Sequence, residues 1–172
     1  MLQVGVAAYS GQPTPSLLEA CRMFVRSLTS RCKDRVALVV GGYWGLMKCV
    51  VDEAVREGLT VVIVPPVDRE DAGYPEEAVV MSTGCDPRCR SVALVRSSHV
   101  LVALGGAVGT LIEVLLAYSY GKPVYILGGT GLDTDRYRGV LEPHADHRGL
   151  ARVEYVEDPV EIAEKACSAA RR

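Results

Sequence analysis

Apolar positions along this chain fall into short continuous runs that alternate with segments whose apolar residues recur every three or four positions. Gln3 to Ala8, Val36 to Val40 and Thr60 to Val64 are β-branched and aliphatic runs of strand length, and so are Val79 to Ser82, Val100 to Leu104, Pro123 to Leu127 and Val153 to Val156. Between the first two, Thr14 offers an N-cap with Pro15 at the first helical position, and Leu17, Leu18, Cys21, Val25 and Leu28 recur at helical spacing. A second helix follows Gly45, with Leu46, Met47, Val50, Val51, Ala54 and Val55 on one face and Lys48, Asp52, Glu53 and Glu57 on the other. Gly58 ends it, and Pro65-Pro66 stops the next strand. Asp86 and Pro87 form another cap and first-position pair, opening a helix that reaches about Ser97. Leu111 to Tyr120 is an apolar run of helix length, and Asp158 caps a closing helix from Pro159 to Ala170. The charged stretch from Val67 to Pro75 reads as a surface excursion, and the glycine-rich, polar stretch from Gly128 to Gly139 reads as a loop.

Strands that are apolar throughout, alternating with helices, imply an α/β fold with a mostly parallel sheet covered on both faces. At 172 residues the chain is expected to be a single domain spanning 1–172. Ligands of such sheets sit beyond the carboxyl ends of the strands, where the loops Ala8 to Gly11, Gly41 to Gly45, Ser82 to Gly84 and Gly105 to Thr110 are expected to gather. The most informative stretch is VLVALGGAVGTLIEVLLAYSYGK, from Val100 to Lys122. It reads as strand, glycine turn and helix, and Glu113 is its one carboxyl group. In such a turn the unpaired N–H groups of the first helical turn face outward at the positive end of the helix dipole, and glycines let a phosphate approach the backbone. Two readings of Glu113 compete. It is a carboxylate beside an anion seat, or it closes a capping box in which Thr110 and Glu113 satisfy each other's backbone N–H groups. Glycines and Glu113 also break the run into pieces shorter than the roughly 20 apolar residues that a bilayer requires.

Neither glycine loop has the spacing of a dinucleotide fold or a P-loop, which disfavours NAD and ATP hydrolysis. The net charge of −2, without a block of like charge, predicts no nucleic-acid groove and no membrane surface. The opening MLQVGVAAYSG lacks a basic region followed by a long apolar core, so the cytoplasm is the expected compartment. The chain has 15 Arg against 4 Lys, no Asn, and Gln only at positions 3 and 12; such depletion of amide side chains is a trend reported for proteins of very hot environments. Cys21, Cys32, Cys49, Cys85, Cys89 and Cys167 contain no CxxC pair and are expected to be free thiols. His144-Ala-Asp-His147 reads as loop, because no third ligand stands at a diagnostic spacing, and neither a metal nor a cofactor is expected.

With both glycine loops in view, the chain from Val4 to about Leu127 resembles the LOG family, formerly labelled "possible lysine decarboxylase", and especially its smaller DprA/Smf-related relatives in the SLOG superfamily. GGYWGLM at Gly41 to Met47 is similar to the family's GGxxGxM loop, GGAVGTLIE at Gly105 to Glu113 to its PGGxGTxxE signature, and Arg90 lies where the family carries an arginine. The resemblance implies a Rossmann-like three-layer sandwich of six or seven strands and a homodimer or homotetramer. It also implies binding of a nucleoside 5′-monophosphate, whose N-glycosidic bond the hormone-activating members hydrolyse to base and ribose 5-phosphate. Carried over by position, Gly106, Gly109 and Thr110 hold the phosphate, Arg90 orients the phosphoribosyl group and Glu113 is the catalytic carboxylate. Gly41, Gly42, Gly45 and Gly105, with Ser10, Gly11 and Thr83 at neighbouring strand ends, complete the expected binding set. Gly105, Ala107, Ile112 and Ser91 depart from the family's proline, glycine, glutamate and lysine. The decarboxylase label has no chemical support, because no lysine sits in a recognisable setting for a pyridoxal cofactor.

A carboxylate beneath a ribose stabilises the positive charge that develops as the glycosidic bond breaks. Arg90 offers a planar fork to a phosphate or diol, or is a solvated helix-start residue. Arg88 and Arg96 are secondary phosphate candidates. Tyr43 and Trp44 stack on a base or serve as packing anchors. Three classes of function follow: a phosphoribohydrolase, a non-catalytic carrier resembling the molybdenum-cofactor carrier proteins, and a structural oligomer whose site has decayed.

Overall fold

Seven strands form one sheet in the computed structural model, which describes residues 1–169. They are β1 (Leu2–Ala7), β2 (Val36–Val40), β3 (Thr60–Ile63), β4 (Val79–Val80), β5 (Val100–Ala103), β6 (Val124–Leu127) and β7 (Val153–Val156). Every pairing is parallel and the order is β4-β3-β2-β1-β5-β6-β7. The helices are α1 (Pro15–Cys32), α2 (Gly45–Arg56), α3 (Pro87–Arg96), α4 (Val108–Ser119), the single turn α5 (Arg138–Leu141) and α6 (Pro159–Ser168). Strand pleating splits the core. Val100, Val102 and Leu104 join Val4, Val6, Leu38 and Val40 beneath α1, α2 and α6, whereas Leu101 and Ala103 join Ala7, Val39, Val124 and Ile126 beneath α3 and α4. Helices therefore cover both faces of a Rossmann-like α/β sandwich.

The chain leaves β1 toward β2 on one side and β5 returns on its other side, so the strand order reverses between β1 and β5. The crevice above a reversal of this kind is where α/β sheets take ligands. Here it is framed by the β1–α1 loop, the β2–α2 loop and the turn from β5 into α4. Leu46 N–H donates to the Tyr9 carbonyl at 2.8 Å and ties the first two together. Gly45 makes that contact feasible. Its φ is +55°, and a Cβ there would stand 2.6 Å from the Tyr9 carbonyl oxygen.

Several expected elements are adjusted. Of the run to Ser82 only Val79 and Val80 are strand, in register with Val62 and Ile63 at the sheet edge, and Met81 N–H adds one bond to the Ile63 carbonyl at 2.8 Å. The Gly128 to Gly139 stretch is not loop throughout: Asp133–Tyr137 forms a 3-10 helix that leads into α5, held by Asp135, whose Oδ2 accepts from Gly131 N–H at 2.7 Å. Helix α4 starts at Val108, three positions before Leu111, with Ala107 as an N-cap whose side chain makes no capping bond. For the closing helix, Ala170 lies outside the described residues.

Not all six cysteines are free. Cys32 at the end of α1 is bonded to Cys167 in α6, with Cα atoms 6.1 Å apart, and Cys85 is bonded to Cys89, whereas Cys21 and Cys49 remain thiols. The first pair is 135 residues apart, so no local spacing reveals it; α1 packing against α6 creates it. Cross-links that close long loops typically contribute about 2–4 kcal/mol. Cys167→Ser is accordingly expected to lower the denaturation free energy by that amount, and thiol reductant should add little further loss through this bond. Equal stability of wild type and variant under oxidising conditions would refute the cross-link.

Candidate functional site

A cleft of about 450 Å³ opens at the β1/β5 reversal. Ala8 and Ser10 line it from the first loop, Trp44 and Met47 from the second, and Pro87, Arg88, Arg90 and Ser91 from α3. Ala107, Val108, Gly109, Thr110, Ile112 and Glu113 close it from the start of α4. The first intrahelical bond of α4 runs from Leu111 N–H to the Ala107 carbonyl at 3.1 Å. The amides of Val108, Gly109 and Thr110 therefore lack intrahelical acceptors, and all three residues line the cleft. Asp86 holds α3 in register by accepting from the N–H groups of Arg88 and Cys89 at 2.8 and 2.9 Å; the same two bonds keep its carboxyl below the ordinary range.

Arg90 and Glu113 meet across the cleft wall. Arg90 Nη1 donates to Glu113 Oε1 at 2.7 Å, and the two side chains are 11% and 7% exposed. Ser91 Oγ stands 2.9 Å from the same carboxylate oxygen. Among the described residues, none donates a hydrogen bond to Glu113 Oε2. Arg90 Nε is buried and has no acceptor. Burial pushes the Glu113 carboxyl above its ordinary value, while the charge of Arg90 and the bonds from Ser91 and Arg90 pull it back. The guanidinium lies against Gly41, where a Cβ would come within 1.9 Å of Nη1, so any larger residue there displaces the pair.

The capping-box reading of Glu113 is overturned. Thr110 sits inside the first turn of α4 instead of at its cap, and the carboxylate turns to Arg90 and Ser91. A buried carboxylate gains more from a charged partner than from a neutral amide. The structure brings Ser10, Arg90, Gly109, Thr110 and Glu113 to one cleft with Gly41 behind Arg90. It places the other expected residues elsewhere. Gly42 lies beneath the Trp44 ring, and Gly11 packs on the Tyr9 ring beside Gly45. Gly105 turns toward Thr130 and Leu132, and Gly106, whose N–H donates to Thr134 Oγ1 at 3.2 Å, lies directly behind the cleft-lining Thr110. Thr83 N–H donates to Glu70 Oε1 at 2.8 Å, near the β4 edge and outside the cleft, because two strands separate β4 from β1.

Of the further candidates, Arg88 lines the cleft, whereas Arg96 lies over the Tyr120 ring at 5.1 Å. Tyr43 donates to Asp52 Oδ1 at 2.6 Å and faces away from the cleft. Trp44 lines it, with the Arg69 guanidinium 5.7 Å from its ring centre. His144 Nδ1 pairs with the Ala151 carbonyl, and among the described residues no group of three His, Cys, Asp or Glu side chains is placed to hold a metal ion. No described helix is long and apolar enough to cross a membrane. Ser91, which sequence reading named only as a departure from the family's lysine, is the partner it gave no role. Its signal was its position beside Arg90, one helical turn beyond Pro87.

The parallel sheet, the reversal between β1 and β5 and a helix N-terminus beside an arginine–glutamate pair define a Rossmann-like α/β protein with a cleft at the strand reversal. The chain matches the SLOG cluster4 family over residues 1–162 and belongs to that family. The X-ray structure of TM1055 is similar at 33% identity and a TM-score of 0.83, covering 96% of this chain and 99% of that one. The molybdenum cofactor binding protein of Rippkaea orientalis shares the fold at 22% identity and a TM-score of 0.79, over 98% and 97% of the two chains. DNA processing protein A of Streptococcus pneumoniae shares it at 14% identity and a TM-score of 0.70, over 96% of this chain and 62% of that one. No curated protein matches the chain.

Proposed function

We propose that the cleft binds a nucleoside 5′-monophosphate or a closely related phosphorylated heterocycle, and that Glu113 assists hydrolysis of its N-glycosidic bond. The observation that supports this is the opening of the unpaired first-turn amides of α4 and of the Arg90–Glu113 pair onto one cleft. The phosphate takes the amides of Val108, Gly109 and Thr110, with Arg88 at the rim. Arg90, already engaged through Nη1, orients the phosphoribosyl group with its remaining N–H groups. The ribose then lies over Glu113, whose charge supports the oxocarbenium-like state as the C1′–N bond breaks. Water adds its oxygen to C1′, the bonding pair leaves with the base, and the proton released by water balances the base. The products are free base and ribose 5-phosphate.

A specific observation favours a second reading, that of a non-catalytic carrier. Glu113 Oε1 is held by two donors before any ligand arrives, and the molybdenum cofactor binding protein that shares the fold spans the same length. Incubation with AMP, GMP and CMP, with free base measured by chromatography, separates the readings when combined with mass spectrometry of small molecules retained by the native protein. Base release supports hydrolysis. A retained phosphorylated pterin without turnover supports the carrier, and absence of any phosphate-dependent binding refutes both.

Gly109 provides a substitution that spares the fold. A Cβ built there meets nothing within 4 Å, and Ala suits a helix better than Gly by about 1 kcal/mol. Gly109→Ala is therefore expected to keep or raise the melting temperature while a methyl intrudes on the phosphate seat. Titration calorimetry with AMP should show a loss of about 10-fold or more in affinity, which amounts to about 1.4 kcal/mol. Unchanged affinity would move the phosphate away from α4.

A further inference from the structure

The hydroxyl of Ser91 stands between two acceptors with one proton to donate. Its Oγ is 3.0 Å from the Pro87 carbonyl and 2.9 Å from Glu113 Oε1, and Ser91 is buried. The Pro87 carbonyl lies at the start of α3, where the N–H four residues on is its helical partner, so it keeps an acceptor role without the hydroxyl. Hydrogen bonds to a charged acceptor are about twice as strong as those between neutral groups. When Glu113 is ionised, the Ser91 hydroxyl donates to Oε1, beside the bond from Arg90 Nη1. When Glu113 is protonated, Oε1 becomes a neutral acceptor and the hydroxyl is free to turn to Pro87. Among the described residues no donor reaches Oε2, and Glu113 borders the cleft. The added proton is therefore placed on Oε2, the carboxyl oxygen left without a partner.

We infer that Ser91 is a positioning residue whose hydroxyl switches its one hydrogen bond between the Pro87 carbonyl and Glu113 Oε1 as Glu113 titrates, and that its bond to Oε1 favours the ionised acid with a bare Oε2. The inference rests on the reading of Glu113 as the group that meets the ligand. The charged groups around it are few. Arg90 faces it from α3 and Arg88 lines the same cleft, α4 carries no other charged side chain, and the loops after β1 and β2 bring the uncharged Ser10 and Trp44. Burial raises the Glu113 carboxyl, and the Ser91 bond is one of the two influences that oppose it, Arg90 being the other. Loss of the hydroxyl must then raise the carboxyl further.

The test is carbon NMR titration of the Glu113 side-chain carboxyl in the full chain without ligand, its signal assigned by its disappearance in Glu113→Gln. Ser91→Ala is expected to move the midpoint upward by about one to two pH units, the equivalent of one hydrogen bond to a charged group. Ser91→Thr, which keeps the hydroxyl, should return it toward wild type. Ser91→Cys, a weak donor of similar size, should fall between. The pH at which AMP affinity changes should shift with the midpoint. A midpoint that stays or falls in Ser91→Ala overturns the inference. Because the titration is read without ligand, the expected shift together with an absence of base release would refute the hydrolytic reading and leave the proton assignment standing.

Discussion

Glu113→Gln is expected to lower base release from AMP by about 10²-fold or more while the dissociation constant for AMP moves by less than about 3-fold. The amide retains a carbonyl oxygen where Oε1 accepts from Arg90 Nη1 and Ser91, so the wall of the cleft keeps its shape. What disappears is the negative charge beneath the sugar. That charge does little for a neutral ribose in the ground state and much for a positively charged one in the transition state, so the loss falls on kcat. The phosphate is held at the first turn of α4, which the substitution does not touch. Single-turnover measurements under saturating AMP, alongside calorimetric binding, check the result. An equal loss of binding and turnover would mean that Glu113 serves the architecture of the site and not the chemistry.

Arg90→Met carries the largest expected cost in stability, about 3–5 kcal/mol at neutral pH, because it leaves a buried carboxylate without its countercharge. The side chains concerned are 11% and 7% exposed, so water compensates little. Adding Glu113→Gln to Arg90→Met should recover most of the loss, since the pair is then replaced by neutral groups. The pH dependence has a definite sign. Burial already holds the Glu113 carboxyl above its ordinary value, and removal of Arg90 takes away the largest opposing influence. Between the ordinary carboxylate pKa of about 4 and the raised native value, the folded state binds more protons than the unfolded one. Stability therefore falls as pH rises through that window. The penalty of Arg90→Met is expected to be small near pH 4 and complete above the raised pKa, as denaturant titrations at several pH values would show. A penalty independent of pH would mean that lost packing dominates over lost charge.

The two substitutions probe different parts of what sequence reading reached. Gly105 to Glu113 and Gly41 to Met47 announced the glycine turns and the family, because glycines at positions of close approach leave a one-dimensional trace. Gly41 is such a case: its missing Cβ is the space that Arg90 occupies. The partner of Glu113 was not announced. Spacing alone suggested Thr110 as its hydrogen-bonding neighbour, whereas Arg90 and Ser91 reach it from more than twenty residues away. Thr83 and Gly11 were grouped with the site because every strand end in a parallel sheet is a candidate. Strand order removed Thr83, since β4 lies at the far edge from the reversal.

What the amino-acid order determined by itself is the succession of strands and helices, their caps at Thr14, Asp86 and Asp158, and the glycine turn that opens α4. These depend on interactions within a few residues, on pleat and helix periods and on the φ values that glycine and proline allow. Only the tertiary structure decided that β5 returns beside β1, that Cys32 meets Cys167, and that Arg90 and Ser91 share one oxygen of Glu113. Those contacts join positions far apart in the chain. Their formation is governed by which strand pairs with which, a competition among long-range burials that no local pattern records.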